Sequence, residues 1–188
     1  MEVENLLKKV EEYYRENVPV SRDSSYFPHV DGVRKYALIL AKEYKADQIV
    51  IEVAALLHDI GADAGKVHAF KSAEITEEFL SKLNVDSDLK ARIVSAIKNH
   101  SMNQSGEDFT VEVPIEDRII RDADGLSFLE NSYEAYLQKG LKMYGDIEKA
   151  KEEAAVKIIG MSKKITTQKG KEIAKELIDK ALEFVKDY

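Results

Sequence analysis

Apolar positions along the chain recur at spacings of three and four, the period of a helix that buries one face. Leu6, Leu7, Val10, Tyr13 and Tyr14 set this pattern over residues 2–16. An irregular stretch, 17–28, follows with Pro19, three serines and Pro28. Pro28 disfavours a helical Phe27 and suits the first positions of a helix, so a second helix is expected from there to about Tyr44, with Val33, Tyr36, Ala37, Leu40 and Ala41 on its apolar stripe. Asp47 reads as the N-cap of a third helix, whose run over 49–57 carries no charge from Val53 onward. Gly61, lacking Cβ, is expected to release the chain at that helix end. A short loop, 62–68, leads to a helix over 69–83, and Asp86 caps another that runs through Leu89, Ile93, Val94 and Ile97 to His100.

The polar segment 101–114 reads as a loop, placed directly after His100 as a lid or rim would be. Pro114, followed by Glu116 and Asp117, starts a sixth helix with Ile115, Ile119, Ile120, Ala123 and Leu126 buried. Two more helices, over 146–160 and 167–186, place Lys and Glu on their outer faces. The tyrosines at 133, 136 and 144 between them bury against the core or against a partner, which leaves the oligomeric state open. Period-two alternation appears only at 109–113, and no repeat or linker is visible. The pattern predicts an all-α bundle, one domain over 1–188.

Composition narrows the function. A net charge of −7 disfavours a general nucleic-acid-binding surface. With no cysteine, disulfides and thiolate metal sites are excluded. The first residues are charged and amphipathic, unlike a signal peptide, and no run approaches the roughly 20 apolar residues of a spanning helix. A cytoplasmic protein with no membrane partner is expected.

The chemistry gathers at His58-Asp59, where an apolar helix ends in an adjacent imidazole and carboxylate. A buried carboxylate needs a partner, and a metal cation accepts a neutral His and an ionised Asp together. Only three other histidines exist, His29, His68 and His100, each beside an expected helix end or loop. Asp124 lies next to the buried stripe of the sixth helix, whereas Asp122 points roughly 160° away at 3.6 residues per turn.

His29 in FPHVDGVRKYALILA, His58-Asp59 in AALLHDIGA and Asp124 in RDADGLSFL together resemble the HD-domain metal-dependent phosphohydrolases, over about residues 26–129. The resemblance implies an HD-type helical bundle of about seven to eight helices, with residues 130–188 packed on the motif core. It implies His29, His58, Asp59 and Asp124 as ligands of one metal. His68 and His100 match positions of the family's dinuclear branch, so six ligands for two divalent ions follow, with Asp59 bridging; the loop of nine positions between Asp59 and His68 is short for that branch. Fe, Mn, Ni, Co and Zn all suit such ligands.

The implied reaction is hydrolysis of a phosphate ester or anhydride of a small, nucleotide-like substrate by metal-activated water, with Asp59 orienting or deprotonating the water. Lys66 is a catalytic and substrate-binding candidate, and Asn103 and Arg121 are further substrate contacts. Mixed-valence di-iron oxygenases carry a similar ligand set and form the alternative reading. A non-catalytic regulatory HD module is a second alternative.

Overall fold

The computed structural model describes residues 3–21, 26–101 and 113–188. The described residues form nine α-helices in order: α1 (Val3–Glu16), α2 (Tyr26–Tyr44), α3 (Gln48–Leu57), α4 (His68–Lys82), α5 (Ser87–Lys98), α6 (Ile115–Ser127), α7 (Tyr133–Tyr144), α8 (Ile147–Lys164) and α9 (Gln168–Asp187). A 3-10 segment, Ala62–Val67, precedes α4, and a π segment, Phe128–Ser132, joins α6 to α7 without a break. Counting α6 to α7 as one rod leaves eight helices. The described residues contain no strand.

Local chemistry explains most boundaries. Asp47 accepts from Ile49 N at 3.0 Å, Asp86 from Asp88 N and Leu89 N, and Asp146 from Glu148 N and Lys149 N. The second helix begins two residues earlier than expected, at Tyr26. Pro28 thereby falls in the first turn, where a missing N–H costs nothing. Residues 109–112, where the alternation lies, and most of the expected lid fall outside the described residues.

Helices α3 and α6 form the centre. Val50, Ile51 and Val53 to Leu57 are each at most 1% exposed, so the uncharged end of α3 is buried on all sides. Its half-buried Glu52 accepts from Arg34 Nε at 2.9 Å, and Arg34 Nη1 also donates to Glu11 at 2.7 Å, tying α1, α2 and α3 together. Helix α6 packs against α2, α3, α5, α8 and α9. It is therefore buried around its circumference, not along one stripe, and its polar side chains each need a partner. Asp117 accepts from Ser95 Oγ at 2.9 Å and Asn99 Nδ2 at 2.6 Å, Arg121 Nη2 donates to Thr166 Oγ1 at 3.1 Å, and Asp122 accepts from Thr166 N and Thr167 N at 2.9 and 2.8 Å. Asp122 points away from Asp124, but into the start of α9 and not into solvent.

Gly61 has φ −98°, so no left-handed turn requires it. A Cβ there would lie 2.6 Å from Ser72 N and 2.8 Å from the Lys71 carbonyl carbon. The close crossing of α4 is what demands glycine, and Gly61 N donates to Ser72 Oγ across it at 3.0 Å. The segment 62–68, expected as a loop, is instead a short helix kinked at Gly65, whose φ is 61°.

Candidate metal centre and its pocket

Helix ends place three of the four histidines. His58 is the C-cap of α3, His68 the first residue of α4, and His100 lies two residues past α5. Each ring turns its Nδ1 onto the carbonyl three residues back: Ala55 O at 2.8 Å, Gly65 O at 2.9 Å and Ile97 O at 2.6 Å. A carbonyl only accepts, so Nδ1 carries the proton and Nε2 keeps its lone pair. His29, in the first turn of α2, reaches the same tautomer through α6. Ser127 Oγ donates to His29 O at 2.8 Å and lies 3.3 Å from His29 Nδ1, which therefore donates to it. This approach needs Gly32, because a Cβ there would overlap Ser127 Oγ.

The four Nε2 atoms surround the two carboxylates. His29 Nε2 is 3.3 Å from His58 Nε2 and 3.3 Å from Asp124 Oδ1. Asp59 Oδ2 is 3.9 Å from His58 Nε2, while Oδ1 is 3.5 Å from His68 Nε2 and 3.7 Å from His100 Nε2. Donor atoms of His29, His58 and Asp59 lie within 4.8 Å of one another, and so do those of Asp59, His68 and His100. Asp59 belongs to both groups. Atoms each about 2.1 Å from one ion are separated by about 3–4 Å, so small side-chain shifts would let either group close on a divalent cation. The lone pairs of His29 and His58, 3.3 Å apart with no proton between them, repel unless a cation lies near both.

Electrostatics point the same way. Burial pushes His58 down to about 3, with His100 and His29 adding to the effect and Asp59 opposing it, so the ring is neutral and able to ligate at pH 7. Burial likewise lowers His68. Asp124 is buried too, but the Lys164 ammonium on its Oδ2 holds its carboxyl well below the usual range.

A pocket of about 330 Å³ opens on this cluster. His29, Asp59, His68 and Asp124 form part of its lining, and Tyr26 and Ser21 another part. Helices α7 and α8 supply Tyr136, Lys139, Lys157, Met161 and Lys164. Lys157, Met161 and Lys164 stand at i, i+4 and i+7, one face of α8. That face was expected outside; α8 continues past Gly160 to Lys164 and turns it inward. Lys164 is 3% exposed.

The six sequence-predicted metal ligands thus converge. Lys66 and Arg121 do not join them. Lys66 is exposed in the 3-10 segment and does not line the pocket. Arg121 is buried against Thr166, and Asn103 lies outside the described residues. Ser127 and Lys164 were not foreseen. A serine three residues after Asp124 carries no spacing signal toward a histidine 98 positions earlier, and Lys164 sits in a Lys-rich stretch that reads as solvated.

A family model for the HD domain matches residues 26–129, more than half of the chain. The chain belongs to the HD-domain family. This HD protein is 25% identical to the uncharacterized protein YpgQ of Bacillus subtilis over 164 residues, 84% of this chain and 80% of YpgQ. It is 28% identical over 161 residues to the tRNA (cytidine(56)-2'-O)-methyltransferase of Thermoplasma volcanium, covering 77% of this chain but 43% of the methyltransferase. Among solved structures, YpgQ in complex with ADP aligns with a TM-score of 0.75 at 17% identity, covering 100% of this chain and 95% of that one. An HD-superfamily hydrolase from Bacillus thuringiensis aligns with a TM-score of 0.73 at 18% identity, covering 99% and 96%. The fold is that of the HD-superfamily hydrolases. HD domains bind divalent metals, and the donors gathered here suit them. Among the described residues, no helix is long and apolar enough to cross a membrane.

Proposed function

We propose that this chain is a metal-dependent phosphohydrolase that cleaves an ester or anhydride of a small phosphorylated compound, a nucleotide in particular. The observation that carries the reading is Asp59, shared by two three-donor groups at the edge of a pocket that also presents three lysines. His29, His58, Asp59 and Asp124 would hold one divalent ion, and His68 and His100 would hold a second with Asp59 between the two. A bound divalent ion supplies Lewis acidity, which brings the pKa of a water in the site toward neutrality. Asp59 is placed to orient that water and hold its proton. The Lys164 ammonium, already against Asp124, is placed to offset charge on a phosphoryl oxygen.

The nucleotide assignment is supported by the ADP bound in the YpgQ structure and by the aromatic rings of Tyr26, Phe128 and Tyr136 in the pocket lining. Lysines around the pocket favour an anionic substrate over the neutral or weakly charged substrate of a C–H oxygenase. The test is anaerobic incubation with ATP, ADP and AMP after loading with Mn, Co, Ni, Zn or Fe, following release of phosphate or pyrophosphate. Turnover without oxygen is expected. Failure with every metal would overturn the nucleotide reading, and turnover confined to the iron-loaded protein in a parallel aerobic incubation would make it an oxygenase.

A further inference from the structure

We infer that Ser127 is a positioning residue for the metal centre: it holds the His29 proton on Nδ1 and so keeps His29 Nε2 open to a cation. The inference rests on metal binding at His29 and on no particular reaction. His58, His68 and His100 have no comparable choice. Each points Nδ1 at the carbonyl three residues back, at 2.8, 2.9 and 2.6 Å, and a carbonyl only accepts. The main chain supplies that acceptor, so no change of side chain removes it. His29 differs, because α6 presents an acceptor to each of its ring nitrogens.

Asp124 and Ser127 stand three residues apart on that helix, and so on one face. Asp124 Oδ1 lies 3.3 Å from His29 Nε2, and Ser127 Oγ lies 3.3 Å from His29 Nδ1. A neutral imidazole has one N–H, so the two acceptors compete for it. With the proton on Nε2, His29 would donate to a carboxylate, the stronger kind of hydrogen bond, and would offer no lone pair to a cation. With the proton on Nδ1 the lone pair is free to ligate, but it faces Asp124 Oδ1 and His58 Nε2 until a cation arrives. Two features tip the balance to Nδ1. The Ser127 hydroxyl has a single proton, committed to His29 O at 2.8 Å, so Oγ offers Nδ1 only a lone pair. The Lys164 ammonium, on Asp124 Oδ2, weakens the pull of that carboxylate on the His29 proton. Gly32 lets Ser127 come this near, since a Cβ there would overlap Oγ. Ser127 is fully buried, so solvent does not compete for the contact.

The test is nitrogen NMR of the labelled histidine rings in the metal-stripped protein at about pH 8.5, where an ordinary imidazole is neutral, followed by calorimetric titration with zinc ions. In the wild type all four rings should carry the proton on Nδ1. In Ser127→Ala the His29 proton should move to Nε2, while His58, His68 and His100 keep theirs in place. One zinc equivalent should then bind about 10- to 100-fold more weakly, the usual loss when a ligand's outer hydrogen bond is removed. His29→Ala identifies that equivalent by losing it. A wild type whose His29 proton sits on Nε2 overturns the inference without any variant. So does a Ser127→Ala protein that fails to show either the tautomer shift or the loss of zinc affinity. A shift of all four rings together would mark Ser127 as a packing residue and overturns it too. No turnover is read, so the phosphohydrolase reading can fall while this one stands.

Discussion

Two aspartates of α6, two positions apart, have different partners. Asp124 meets His29 and Lys164, while Asp122 accepts from Thr166 N and Thr167 N, just ahead of α9. Asp124→Ala should abolish metal retention and activity, as should His58→Ala. Asp122→Ala should keep its metal and lose about 1–2 kcal/mol of stability, the cost of orphaned donors at a helix start. Elemental analysis and urea unfolding separate the two outcomes, and metal loss in Asp122→Ala would reverse the assignment. His58 adds a pH signature in the metal-free protein. Its folded pKa is about 3 against an ordinary 6.5, so between these values the unfolded chain takes up a proton that the folded chain refuses. Stability should therefore fall as pH drops below about 6.5, by up to about 1.4 kcal/mol per unit from this group, and should show no slope from it above. Unfolding at pH 7.5 and 5.0 measures the loss; a His58→Gln variant with an undiminished slope would assign it to other groups.

At the scale of elements, close approach matters more than turn geometry. Gly61 faces backbone atoms of α4, which cannot swing aside as a side-chain tip would. Gly61→Ala should cost roughly 1–3 kcal/mol and lower the melting temperature, whereas Gly160→Ala, in open space, should not destabilise. Helices with a cap and a clean stripe, α3 and α5 above all, were legible in the sequence because one residue fixes the start and the apolar period fixes the rest. Helix α7 was not. Its tyrosines, glycine and lysines make a weak stripe, and the π segment at Phe128–Ser132 shifts the register between it and α6. For the site, the candidate ligands were legible as a motif, and their hydrogen-bond and ion-pair partners were not. Ser127 and Lys164 act across 98 and 40 positions of sequence, distances over which only packing decides who meets.

For the whole molecule, the metal count is the decisive quantity. Because Asp59 stands in both donor groups, His68→Ala and His100→Ala should each lower the content from about two ions per chain to about one. Elemental analysis of protein purified without added metal reads this directly, and an unchanged content in both variants would leave a mononuclear site. Helix α6 carries a wider consequence. It is core and chemistry in one rod, its apolar residues packed on five neighbours and its buried polar residues tied to α5, to Lys164 and to the residues just before α9. Such a helix leaves its sequence almost no room to drift, since a change that loosens the bundle also disturbs the ligands. The faces of α7 and α8 that line the pocket carry none of the six candidate ligands. Over evolutionary time, the wall of the pocket can change while the histidines and aspartates at its floor stay in place.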